Sequence, residues 1–163
     1  MSGRSPDPTS GYRTSITIGA PAEHGFRFWT EAELVSTWIG RDAAIDPRPG
    51  GEFRFEIAPG EWCAGSVIEV DPPRRIVVTW GWESGRIDLP SGSSRVEVEL
   101  SAVDGGTRLD LVHRGLAGDV LRLHADGWPR FLGRLDRTAR GLDSGTDPAL
   151  EGPEEALTRL EET

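Results

Sequence analysis

The chain has 163 residues, a formal charge of −9, one cysteine and no lysine, a length that suits a single domain, since domains cluster at about 100 to 150 residues. A lone Cys63 excludes an internal disulfide framework and a cysteine-rich zinc site, and the lack of lysine excludes lysine Schiff-base chemistry and a phosphate-cradling P-loop. No Arg cluster offers the basic footprint that nucleic-acid binding requires, and no stretch reaches the roughly 18 apolar residues of a membrane span.

The opening MSGRSPDPTS lacks periodicity and an apolar signal-peptide core, so residues 1–11 are expected to be a loose leader and the location cytoplasmic. Residues 12–19 alternate, with Ile16 and Ile18 on one face and Ser15 and Thr17 on the other, which predicts a strand. Pro21 and Glu23 then suit a helix start, with Phe26 and Trp29 sharing a face. Leu34, Val35 and Trp38 form one stripe on a second short helix.

Period-two segments follow: Phe53, Phe55 and Ile57; residues 62–70; Ile76, Val78, Trp80 and Trp82; Val96, Val98 and Leu100; Leu109, Leu111 and His113. Between them stand turn signals, Pro49-Gly50-Gly51, Asp71-Pro72-Pro73-Arg74 and Asp104-Gly105-Gly106, in which glycine supplies positive φ and proline presets a turn dihedral. Successive hairpins imply an antiparallel meander. From about Asp119, Leu121, Ala125, Trp128, Phe131 or Leu132, and Leu135 recur at three and four residues, marking a long amphipathic helix that Pro129 should kink. Beyond Gly141 the composition turns acidic: residues 143–163 hold seven acidic residues and one Arg, with at most a short helix over 154–162.

One-faced strands need a cover, and the last helix is the element long enough to supply it. The expected fold class is α+β, a curved antiparallel sheet of six to seven strands around a long C-terminal helix, with two short helices after the first strand. The domain spans residues 12–141 and the acidic tail 142–163.

Several segments in order resemble one family. They are Pro21-Ala22-Glu23 before an aromatic helix, Leu34 to Trp38, Gly50-Gly51-Glu52-Phe53, Gly65 followed by residues 67–75, Val78-Thr79-Trp80, Gly106-Thr107-Arg108-Leu109, and Gly127-Trp128. Together they are similar to the Hsp90-ATPase-activator-homologue-like branch of the START-like (SRPBCC) superfamily over residues 12–140. The resemblance implies a helix-grip (START/Bet v 1-like) fold with a hydrophobic cavity, and, for bacterial-type members, small-molecule binding. It need not carry the co-chaperone activity in the name.

The expected ligand walls are Trp38, Phe53, Phe55, Trp62, Val78, Trp80, Trp82, Val98, Leu111, His113, His124, Trp128 and Phe131, around a vacant space between sheet and helix. Large aromatics also fill cores for their own sake. His113 is in phase with Leu109 and Leu111, and His124 shares the stripe of Leu121 and Trp128, so the two are expected to face each other. They would orient a ligand or, in an alternative cyclase-, dehydratase- or hydrolase-type enzyme, move a proton. No metal site, cofactor or catalytic triad is expected, because ligand spacing and a nucleophile elbow are both missing. Cys63 is expected to be inert. Arg95, Glu97, Glu99, Arg108, Asp110 and Arg114 should form the solvated face. The expected partner is a hydrophobic small molecule; a homodimer and a chaperone partner are the macromolecular alternatives.

Overall fold

The computed structural model describes residues 11–145. The expected leader, apart from Gly11, and the expected helix over 154–162 lie outside the described residues. In chain order the elements are β1 (Gly11–Ile18), α1 (Ala22–Thr30), α2 (Ala32–Trp38), β2 (Asp42–Ile45), β3 (Glu52–Ala58), β4 (Glu61–Asp71), β5 (Arg75–Trp80), β6 (Ser94–Val103), β7 (Gly106–Arg114) and α3 (Gly118–Ala139). The seven strands form one antiparallel sheet in the order β1-β7-β6-β5-β4-β3-β2. This is the helix-grip arrangement, with a seventh strand, β2, beyond the six that alternation marks in the sequence. Ala43 and Ile45 carry its inward phase opposite Phe55 and Phe53, but Ala43 adds too little apolar surface to stand out.

Inward residues of the strands and the apolar stripe of α3 form one core. Ile18, Leu109, Leu132 and Leu135 are essentially excluded from solvent. Arg134 fixes α3 to α2 by donating from Nε to the Trp38 carbonyl at 3.0 Å, and Asp136 accepts from the Gly19 amide at 2.9 Å. The helix runs without a break through Pro129. The closest backbone approaches of α3 are to β1, α2 and α1, whereas side-chain rings span the distance to β5.

The outer sheet face is charged as expected, with one refinement. Glu97 is only 15% exposed because Arg114 and Arg95, opposite each other across β7 and β6, both close on it at 3.0 and 3.4 Å. Cys63, expected to be inert, is fully buried on the inner face of β4, where desolvation pushes its thiol well up.

Between β5 and β6 the chain makes a long excursion over residues 81–93. Gly81 is required at its base, since a Cβ there would lie 1.8 Å from the Pro90 carbonyl oxygen. The loop turns back on itself, buries Ile87 and Leu89, and carries Trp82 into bridge contact with Cys63 and Pro90.

Candidate functional site

All the expected wall residues except Trp62 are buried, none more than 7% exposed. Val78, Val98 and Leu111 are buried on β5, β6 and β7, and Trp38 on α2 and Phe131 on α3 belong to the same core. The rings touch one another. Trp80 meets Phe55 at 5.3 Å, Phe53 at 6.4 Å, Trp82 at 5.9 Å and Trp128 at 5.1 Å between centroids. His113 and His124 meet edge to face at 4.9 Å, as their phases predicted.

The expectation of a vacant interior is therefore corrected: rings from both layers occupy the space between the sheet and the N-terminal half of α3. Indoles and phenyls each carry a large apolar area, and here they meet across the gap instead of lining it. Trp62 is corrected as well. Strand alternation sends Cys63 and Val67 inward and Trp62 outward, where the Arg54 guanidinium sits 3.9 Å from its ring centroid. Arg54 also holds Glu83 through two hydrogen bonds of 2.7 and 3.0 Å, which keep that carboxyl below its usual range.

The polar atoms of the ring seam form two closed chains. In the first, Trp128 Nε1 donates to His113 Nδ1 at 3.0 Å, which places the imidazole proton on Nε2. That nitrogen donates to Ser94 Oγ at 2.8 Å, and Ser94 Oγ donates to the Trp80 carbonyl at 2.8 Å. In the second, His124 Nδ1 donates to the Val120 carbonyl at 2.8 Å, and His124 Nε2 accepts from both Trp80 Nε1 at 3.3 Å and Trp82 Nε1 at 3.2 Å.

Both histidines are thus uncharged. Burial holds His113 well below its ordinary pKa, with the neighbouring His124 adding to the effect, and burial lowers His124 to about 4. Adding a proton to either ring would aim a new N–H at an indole N–H already pointing there. Neither imidazole is arranged to take up or release a proton near neutral pH, so the geometry lends no support to the alternative of histidine acid-base catalysis.

Residues outside the expected set complete the site. Ser94 begins β6 in phase with Val96, a signal that would have placed it inward. Trp29, three residues after Phe26 on α1, stacks on Trp128 at 6.2 Å. Glu61 is fully buried where β4 begins. Its carboxylate accepts from Ser84 Oγ at 2.9 and 2.7 Å and from the Arg86 guanidinium at 2.9 Å, clasping the 81–93 loop over the end of the seam. No sequence spacing links Glu61 to Ser84, which makes the clasp invisible before folding. Among the described residues no group of three or more His, Cys, Asp or Glu side chains could hold a metal ion, and no helix is long and apolar enough to cross a membrane.

A second feature lies at the opposite end of β4 and β5. There an open groove of about 390 Å³ runs between α1 and the strand turns, with Phe26, Val70, Pro72 and Pro73 forming its apolar base and Glu23 and Arg27 at its rim.

Comparison with known proteins places this geometry in context. The family model described as Activator of Hsp90 ATPase homolog 1-like protein matches residues 19–140. The solution structure of an AHSA1-like protein from Rhizobium etli is 34% identical, with 84% of this chain and 86% of that chain covered and a TM-score of 0.67. CalU16 from Micromonospora echinospora is 26% identical over 92% of this chain and 82% of its own, with a TM-score of 0.64. The Aha1 dimer from Colwellia psychrerythraea shares the fold, at 18% identity, 78% and 93% coverage and a TM-score of 0.67. No curated protein matches the chain by sequence.

Proposed function

The chain belongs to the Activator of Hsp90 ATPase homolog 1-like family, and from that premise we propose that it binds a hydrophobic or amphipathic small molecule in the ring-filled seam between the sheet and α3. The supporting observation is the composition of the seam. Polar-tipped rings are a costly core filling, because each buried N–H or ring nitrogen needs a partner. Aliphatic side chains would fill the same volume without that demand. Here Trp80 and His113 on the sheet and Trp82 on the 81–93 loop face His124 and Trp128 on α3, with Phe55 packed behind Trp80 and Trp82.

Binding on this reading exchanges contacts rather than filling a void. A flat ligand takes the place of one layer's rings against the other, as the N-terminal half of α3 and the 81–93 loop move outward. Burial of ligand area contributes roughly 25 cal/mol per Å², offset by the hydrogen bonds and ring contacts given up, so affinity rests on ligand shape more than on area. The wall comprises Trp80, Trp82, His113, His124, Trp128 and Phe131, with Phe53, Phe55, Val78, Val98 and Leu111 beneath. The reading carries with it a cytoplasmic setting and leaves room for a homodimer, the form in which the Colwellia relative is described.

The test uses N-phenyl-1-naphthylamine, an uncharged fluorescent probe. Saturable probe fluorescence with quenching of tryptophan emission supports the proposal; no saturable binding of this probe or of a panel of apolar compounds, with native mass spectra showing only bare chain, contradicts it.

A second reading rests on the groove at the other end of the sheet. Its apolar, proline-containing base and charged rim suit a protein partner, and the family description names an activator of a chaperone ATPase. Stimulation of an Hsp90-type ATPase by this chain, lost on Val70→Asp and kept on Trp80→Phe, would favour the interaction module over the small-molecule binder.

A further inference from the structure

The donor inventory of the seam specifies what a ligand must bring. Trp80 and Trp82 donate to His124, Trp128 donates to His113, and Trp38 Nε1 donates to the Phe28 carbonyl at 2.8 Å. Among the described residues, the buried side-chain nitrogen or oxygen left without any partner is Trp29 Nε1. Trp29 is 1% exposed. Its ring meets Trp38 edge-on at 4.8 Å and lies nearly parallel to Trp128, at 30°.

An indole nitrogen is a donor only, and leaving such a donor stranded in a buried site costs the full desolvation of that group. Folded proteins keep few of them, and each calls for an explanation. The charge environment narrows the partner further. Both histidines of the seam are uncharged, and the carboxylate of buried Glu61 is taken up by Ser84 and Arg86. The nearby Arg134 guanidinium is engaged by the Trp38 and Gly145 carbonyls, so a ligand carboxylate would enter at a heavy desolvation cost.

We propose, on the basis of the binding reading above, that the ligand is an uncharged, flat apolar molecule bearing an acceptor oxygen, as in a ketone, ester or ether, which Trp29 Nε1 receives while the apolar body lies against Trp128. Trp29 becomes the residue that selects among apolar molecules of equal size. The stranded N–H is a cost to the empty protein that the right ligand removes and a hydrocarbon does not.

The experiment compares 2-acetonaphthone, 2-ethylnaphthalene and 2-naphthoate by calorimetry and tryptophan quenching on the full chain. The ketone should bind up to about tenfold more tightly than the hydrocarbon, the range of one net hydrogen bond, and the carboxylate more weakly than either. In Trp29→Phe the ketone preference should fall to about one. A second measurement does not depend on that variant folding: the carbonyl stretch of bound 2-acetonaphthone should lie below its value in alkane. Equal binding of ketone and hydrocarbon, a ketone preference that survives Trp29→Phe, tighter naphthoate binding, or an unshifted carbonyl stretch overturns the acceptor assignment and leaves the binding reading standing. Failure of all three compounds to bind removes both.

Discussion

The two halves of α3 are held by different physics. Toward its C-terminus, Leu132, Leu135 and Ala139 are buried in the core they share with Ile18 and Leu109, and the helix backbone runs close to β1. Toward its N-terminus, His124 and Trp128 reach the sheet through rings joined by indole-to-imidazole hydrogen bonds. Aliphatic burial is non-directional and depends on close fit. A ring network is directional and open to exchange with any molecule offering equivalent faces and polar atoms. On the binding reading proposed above, anchoring falls to one end of the helix and recognition to the other.

The sharpest way to break that contrast is to cut the anchor. Leu135→Ala, at a fully buried aliphatic position, should lower unfolding free energy by about 2–5 kcal/mol in urea titrations. A loss under about 1 kcal/mol would mean that the C-terminal half is not the anchor.

Acid should strike the other end. The folded pKa of His124 is lowered to about 4 from 6.5, and that of His113 is also lowered, so between these values the unfolded chain binds protons that the folded chain refuses. Stability is therefore full above pH 6.5 and falls as pH drops toward 4, by about 3 kcal/mol for His124 alone. His124→Gln should flatten that part of the curve. A wild-type curve with no slope between pH 6.5 and 4 attributable to His124 would show that the ring is not held neutral by burial.

A smaller change separates ring area from ring polarity. Trp128→Phe removes the donor that satisfies His113 Nδ1 and leaves that nitrogen stranded, for a loss of about 1–3 kcal/mol beyond the volume effect. A double-mutant cycle with His113→Phe should return a coupling of similar size; additive losses would show that the bond contributes nothing. Smallest in stability is the loop clasp. Ser84→Ala deletes one donor to buried Glu61, expected to cost about 1 kcal/mol, yet it should speed amide exchange over 82–89 while exchange in β7 stays unchanged. Equal acceleration in both would make the loop part of the global fold rather than a local cover.

Much of this organisation was legible in the sequence because it depends on phase. Period-two alternation placed Val78, Val98, Leu111 and His113 inward, and helical spacing brought His124 and Trp128 onto the face opposite them. The resemblance over residues 12–140 foresaw the family and the helix-grip fold. Hydrophobicity misled where a large ring stood out of phase: Trp62 looked like a wall residue, but its neighbour Cys63 owned the inward direction. Whether the interior is vacant was not legible, since the outcome depends on rotamers that let Trp80 and Trp128 meet across the gap. The Glu61 clasp and the stranded Trp29 nitrogen were hidden for a related reason, because hydrogen-bond partners distant in sequence leave no spacing to read. Ser94 was readable from its phase with Val96, and short polar side chains are easily passed over in a search for apolar walls.

The central claim is that ligand enters the ring seam and nowhere else on the chain. The six tryptophans report on it directly, because Trp62 lies on the outer face while Trp80, Trp82 and Trp128 lie within the seam. In a ¹⁵N-labelled sample titrated with 2-acetonaphthone, the indole N–H signals of Trp80, Trp82, Trp128 and Trp29 should move together and saturably while that of Trp62 stays in place. Signals that all remain fixed, or changes confined to amides of Phe26, Val70 and the other groove residues, would contradict the account.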